Sequence, residues 1–180
     1  MTEKALIKSL KNSTSREVAF RQLMALYKER LYWHIRKMVK IHDDADDVLQ
    51  NTFIKVFKNI DNFKEESKLY TWLYRIATNE AITFINKRAK QQNLNIEEVH
   101  FNITNNLQAD IYYDGNEIQF KLQQAIATLP NKQQLVFNMK YFDEMKYNEM
   151  SSILETSVGA LKASYHYAVK KIKVHLEKSN

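Results

Sequence analysis

Along most of this chain, apolar residues recur at steps of three and four, the spacing of one buried helix face. Between 2 and 11 the stripe is Leu6, Ile7 and Leu10, and a polar stretch with Ser13 and Ser15 follows. From 17 to about 41 it is Phe20, Leu23, Met24, Tyr27, Leu31, Ile35 and Met38, with Trp33 and His34 beside it. The next stripe, Val48, Leu49, Thr52, Phe53, Val56 and Phe57, follows a crowd of carboxylates at Asp43, Asp44, Asp46 and Asp47. Between 63 and 90 two stripes share one cylinder. One is apolar, with Leu69, Trp72, Leu73, Ile76, Ala77, Phe84 and Ile85. The other is Thr71, Tyr74, Arg75, Thr78, Asn79, Ile82 and Asn86, mostly hydrogen-bonding groups with an aromatic and a cation among them.

The period fades over 91–116, where Asn is frequent, and resumes at 117. Ile118, Leu122, Ala125, Ile126 and Leu129 form a stripe stopped by Pro130, and Asn131 is expected to cap the next helix. Leu135, Val136, Met139 and Phe142 point inward there. A short helix with Met150, Ile153 and Leu154 precedes the turn at 155–157. A longer helix then starts at Val158 with Leu161, Tyr165, Ala168, Val169 and Ile172 inward. Short helix, tight turn and longer helix form a helix-turn-helix, with Ser157 as the N-cap of its second helix. Two Gly and one Pro in 180 residues leave few breaks. The expected fold is all-α, with two small helical domains (1–90 and 117–180) joined by a flexible linker at 91–116.

Charge sharpens this division. Residues 1–89 carry 17 Lys+Arg against 11 Asp+Glu, 90–117 carry 1 against 5, and 118–180 carry 9 against 5. Two basic blocks around an acidic one suit two nucleic-acid-facing domains and a linker that avoids the same surface. The 63–90 helix adds rings to cations and ends in Lys87, Arg88 and Lys90. Single-stranded nucleic acid wants that combination, cations for its backbone and flat platforms for unstacked bases. In the last helix, Lys162, His166, Lys170, Lys171 and Lys173 can reach phosphates or base edges, and Gly159 and Ala160 allow close approach.

Other chemistry finds little support. The chain has no Cys, so no thiolate metal site or Cys nucleophile is available. The four aspartates crowd one helical turn too closely to converge on a hard cation. They are read instead as helix-start carboxylates and as an acidic knob for a cationic partner. No nucleophile–base constellation stands out, and neither an enzyme activity, a cofactor nor a metal is expected. No run approaches the ~18 apolar residues of a membrane span, so no membrane insertion is expected. The first residues lack the apolar core of a signal peptide, which suits a cytoplasmic protein.

Taken in order, these motifs resemble the extracytoplasmic-function class of sigma factors of bacterial RNA polymerase. The family's DAEDLVQEVFLRVW is similar to DDADDVLQNTFIKVF here. Its TWLYRIAxN is matched by TWLYRIATN at 71–79, and its SVGTVKSR by SVGALKAS at 157–164. A Leu-Pro pair before the second domain is matched by Leu129-Pro130. The resemblance implies that Asp43, Asp46, Asp47, Gln50 and Asn51 bind the clamp helices of the largest subunit of the polymerase core. It implies that the melted −10 element is held by Lys64, Ser67, Lys68, Thr71, Tyr74, Arg75, Thr78, Asn79, Asn86, Lys87 and Arg88, with a flipped base near Asn79. It implies that the −35 duplex is read by Ser157, Val158, Gly159, Ala160, Lys162, Ala163, His166 and Lys170. The C-terminal domain would also touch the flap of the second-largest subunit, and an anti-sigma factor is a further candidate partner. The chain departs from the pattern at Thr83, where the family often has Asp, and at Ser164, Tyr167 and Val169, where it often has Arg. The alternative reading is a stand-alone helix-turn-helix regulator.

Overall fold

The computed structural model describes residues 2–93 and 117–178. Most of the expected linker, 94–116, lies outside the described residues. Among the described residues the regular structure is eight α-helices and one short 3-10 turn.

Helix α1 (Glu3–Lys11) starts where the Thr2 hydroxyl accepts a hydrogen bond from the Ala5 N–H at 3.3 Å, and it buries Leu6, Ile7 and Leu10. Helix α2 (Arg16–Val39) ends at Lys40, which sits in the left-handed region at φ 68°. That turn swings the chain into α3 (His42–Asn59), and the 3-10 turn Ile60–Asn62 follows. Helix α4 (Leu69–Gln92) runs two residues past the expected boundary at 90, because Asn93 can take the left-handed cap that ends it. Then come α5 (Glu117–Ala127), α6 (Asn131–Tyr141), α7 (Tyr147–Leu154) and α8 (Val158–Lys178). Asn131 opens α6 rather than capping it; Pro130 stands at the cap position, with a φ already suited to a helix start.

Helices α2, α3 and α4 pack around fully buried Leu23, Leu31, Ile35, Val56, Leu69 and Leu73. The core does not stop there. Val136, Met139, Met145, Met150, Ile153 and Leu161 join the same continuous cluster, because α6 lies on α2 and α7 lies on α4. A smaller cluster of Ala125, Ile126, Leu129, Phe137, Ala168 and Ile172 ties α5, α6 and α8 together. Four residues of the expected buried stripes, Phe57, Ile118, Phe142 and Val169, are exposed. His34 is interior, at 1% exposure.

Candidate nucleic-acid interface

Three surfaces carry the predicted site residues. The first is the start of α3. Asp43, Asp46, Asp47, Gln50 and Asn51 are all exposed there. None of the carboxylates caps the helix. Ile41 occupies the N-cap position, no side chain caps the helix, and Asp43 and Asp44 lie within its first turn. Asp44 instead pairs with Arg88 of α4. Burial pushes the Asp44 carboxyl up, and the Arg88 guanidinium opposes that shift. Asp46 lies 3.4 Å from His42 Nε2. Asp47, Gln50, Asn51, Lys87 and Arg88 border one open cleft, so the acidic knob and the basic end of α4 are neighbours.

The second surface is the polar stripe of α4 and the loop before it. Lys64, Asn79, Asn86 and Lys87 are exposed, and Ser67 and Arg88 are half-buried. The others are not free. Tyr74 turns to α2: its ring lies 4.9 Å from that of His34, and its hydroxyl donates to the Arg30 carbonyl at 3.5 Å. Burial raises its phenol to about 12. The Thr78 hydroxyl meets His34 Nε2 at 2.9 Å. These two residues, expected on a strand-facing side, are interior here because α2 covers that side of α4. Thr71 is buried as well, at 3% exposure. Arg75 donates from Nη2 to the Ser152 carbonyl at 2.6 Å, while its buried Nε has no hydrogen-bond partner. Lys68 reaches Glu149 at 3.4 Å.

Sequence reasoning missed the residues that reach these groups from the other half of the chain. Asp143, in the 142–146 loop between α6 and α7, bonds His34 Nδ1 at 2.9 Å and pairs with Lys37. Burial alone would raise its carboxyl, but His34 and Lys37 outweigh that and hold it below the usual carboxylate range. Glu149 accepts from the Lys146 N–H at 3.1 Å, closing the first turn of α7, and also meets Lys68 and Tyr70. A lone Asp or Glu in a polar segment gives no sign of a partner this far away in sequence.

The third surface is the start of α8. Ser157 Oγ accepts from the Ala160 N–H at 3.3 Å, as expected of an N-cap. Ser157, Gly159, Ala160, Lys162, Ala163, His166 and Lys170 are exposed and Val158 is half-buried. A Cβ added at Gly159 would meet nothing within 4 Å, so no packing inside the chain requires that glycine. Tyr167 and Val169 also face outward, where the family pattern has cations. Among the described residues no group of three or more His, Cys, Asp or Glu could hold a metal ion. None of their helices is long and apolar enough to cross a membrane.

Sequence comparison matches residues 23–91 to the profile of Sigma-70 region 2 and residues 119–172 to that of Sigma-70, region 4. The ECF RNA polymerase sigma factor SigW of Bacillus subtilis is 34% identical over 157 residues, 82% of this chain and 83% of that one. The ECF RNA polymerase sigma-E factor of Escherichia coli K12 is 25% identical over 171 residues, 91% of this chain and 88% of that one. Among solved structures, CnrH in complex with the cytosolic domain of CnrY has the same fold, with a TM-score of 0.71 and 20% identity over 99% of both chains. RpoE in complex with the anti-sigma factor NepR, from Bartonella quintana, gives a TM-score of 0.68 at 20% identity over 88% of this chain and 96% of that one.

Proposed function

Because the chain belongs to the sigma-70 family, in the extracytoplasmic-function class of RNA polymerase sigma factors, we infer how its surfaces divide the work of promoter recognition. The protein is a sigma factor that binds RNA polymerase and directs promoter-specific transcription initiation. The exposed acidic face of α3 docks on a basic surface of the core enzyme, where opposite charge steers and orients the encounter. The start of α8 enters the major groove of the −35 duplex, as the second helix of a helix-turn-helix does. Exposed Asn79, Asn86 and Lys87 and half-buried Arg88 of α4 hold the melted −10 strand, with cations for its backbone and Asn79 for a base edge. It works without catalysis of its own, in the cytoplasm where its polymerase acts, and an anti-sigma factor is a further partner.

The observation that supports this division best is the start of α8. Small side chains and lysines are presented together there on the outer side of a capped helix, around a glycine that internal packing does not need. The experiment combines the purified chain with core polymerase, maps transcription starts, and compares promoter binding with and without core. Promoter-specific run-off that needs core is the expected result. Tight, sequence-specific duplex binding by the chain alone would favour a stand-alone regulator.

A further inference from the structure

We propose that α8 reads its −35 duplex chiefly through thymine methyl groups, with Ala163 and Tyr167 as the side chains that set specificity. This rests on the assignment of α8 to that duplex. The face that α8 turns away from the protein follows from where its core lies. Leu161, Ala168 and Ile172 are buried. At about 3.6 residues per turn, the opposite side carries Gly159, Ala163, His166, Tyr167 and Lys170, and all five are exposed.

Each base edge in the major groove asks for a particular partner. Guanine takes the fork of an arginine or the amine of a lysine, and adenine takes Asn or Gln. Cytosine donates to Asp or Glu, and thymine offers a methyl group to an apolar side chain. Residues 158–171 contain no Arg, Asn, Gln, Asp or Glu, and no Arg follows Arg88 anywhere in the chain. The usual readers of adenine and cytosine, and the fork for guanine, are therefore missing from this helix. The lysines suit the backbone better than the bases, being point charges on flexible stems. Lys162 Nζ also lies 5.8 Å from the centre of the Tyr147 ring, drawn toward α7. What remains on the outward face is apolar. Ala163 presents a bare methyl group. Tyr167 is 56% exposed, with the His166 ring edge-on to it at 6.0 Å. The two stand one turn apart, where each can cover a thymine methyl and take apolar surface out of water. The duplex selected is therefore rich in A·T pairs, with thymines under Ala163 and Tyr167.

Deoxyuridine pairs as thymidine does and lacks only its C5 methyl, so the DNA can be altered while the protein is left alone. Thymines of a mapped −35 element are replaced by uracil one at a time, and binding by the holoenzyme is measured. Affinity should fall about fourfold at each position that Ala163 or Tyr167 meets, the worth of one buried methyl. The same replacement in the spacer should change nothing. Ala163→Gly and Tyr167→Ala, each checked for helical content, should make the protein indifferent to one of those methyls. Tyr167→Phe should keep the discrimination, because the ring makes the contact and the hydroxyl does not. Tyr167→Arg should move the preference at its position from thymine to guanine. Selection from a randomised −35 element should return A·T-rich duplexes. Equal binding of thymine and uracil at every −35 position, or an equal loss in the spacer, would overturn the proposal. So would discrimination that survives both Ala163→Gly and Tyr167→Ala, or selection of a G·C-rich element. Failure of the chain to initiate with core would count against the sigma-factor reading instead. The thymine–uracil comparison then applies to the duplex that the chain selects alone, where the same outcomes decide it.

Discussion

His34 and Asp143 stand 109 positions apart, and the imidazole Nδ1 of one lies 2.9 Å from the carboxylate of the other. With Nδ1 donating to that oxygen, Nε2 is left to accept from the Thr78 hydroxyl, so one ring ties α2, α4 and the 142–146 loop together. Removing the carboxylate strands two donors. Asp143→Ala should cost about 1–3 kcal/mol of stability, less than the ~3–5 kcal/mol for breaking a wholly buried pair, because Lys37 can turn to water. Denaturant unfolding of the two proteins measures the difference.

The same carboxylate sets an acid dependence. Its native form is held below the ordinary value of ~3.9, so it contributes stability that is fully present above that pH. The contribution disappears as pH falls through the lower native value. Comparing thermal melts at pH 7 and pH 3, the wild-type chain should lose more than Asp143→Asn does. Equal losses would remove Asp143 from the account.

Lys40 gives the opposite sign. Burial, then Arg36 and Lys37, lowers its amine to about 8, and its backbone is left-handed. Between pH ~8 and ~10.4 the unfolded chain binds the proton and the native one does not, so stability should rise with pH there. Below that window the charged amine costs about 3 kcal/mol. Lys40→Gly removes the amine and suits the left-handed cap, so it should raise the melting temperature at pH 7 and flatten the alkaline rise.

At the acidic face, Asp46→Lys with Asp47→Lys should weaken core binding by replacing attraction with repulsion. Both residues are exposed, so the melting temperature should hardly move. A pull-down with core enzyme checks this. Undiminished capture would place the polymerase-binding surface elsewhere.

At the other end, Lys162→Ala and Lys170→Ala should weaken promoter binding by the holoenzyme and flatten its salt dependence. Removing one lysine–phosphate pairing takes ~0.9 from the log–log slope. An unaltered slope would mean that these exposed lysines do not reach DNA.

Asn79 keeps its side chain exposed while its backbone carbonyl accepts the Thr83 hydroxyl at 2.8 Å. Asn79→Ala should leave folding and core binding intact. It should relax the preference at one −10 position, a discrimination of ~1–3 kcal/mol for a good bidentate pairing. Run-off from promoters randomised over the −10 element reads it out directly. An unchanged preference at every position would make the residue structural.

Much of the fold was legible in the sequence. The three-and-four spacing of Leu23, Leu31 and Ile35 marks the buried face of α2, and Ser157 is the cap its position suggested. The stripe of α4 was legible only as polar. Periodicity separates faces, but it does not say that Tyr74 and Thr78 are polar groups satisfied by α2. Nor can it show that a face from the other half of the chain lies on Arg75. Asp143 lies between Phe142 and Glu144 in a stretch that reads as an ordinary turn, and its partners, His34 and Lys37, belong to a helix whose own pattern looks complete. Long-range polar pairs leave no period behind them.

The continuous core also has a consequence in time. A chain leaves the ribosome from its N-terminus, at roughly 5–20 residues per second. Leu69–Gln92 therefore emerges several seconds before Tyr147–Leu154, the helix that will lie on it. Throughout that interval the newborn first half lacks the cover that the second half will give to Arg75 and to the apolar groups beside it. A polymerase meeting the nascent chain would find Arg75 and Lys68 without their later partners, the Ser152 carbonyl and Glu149.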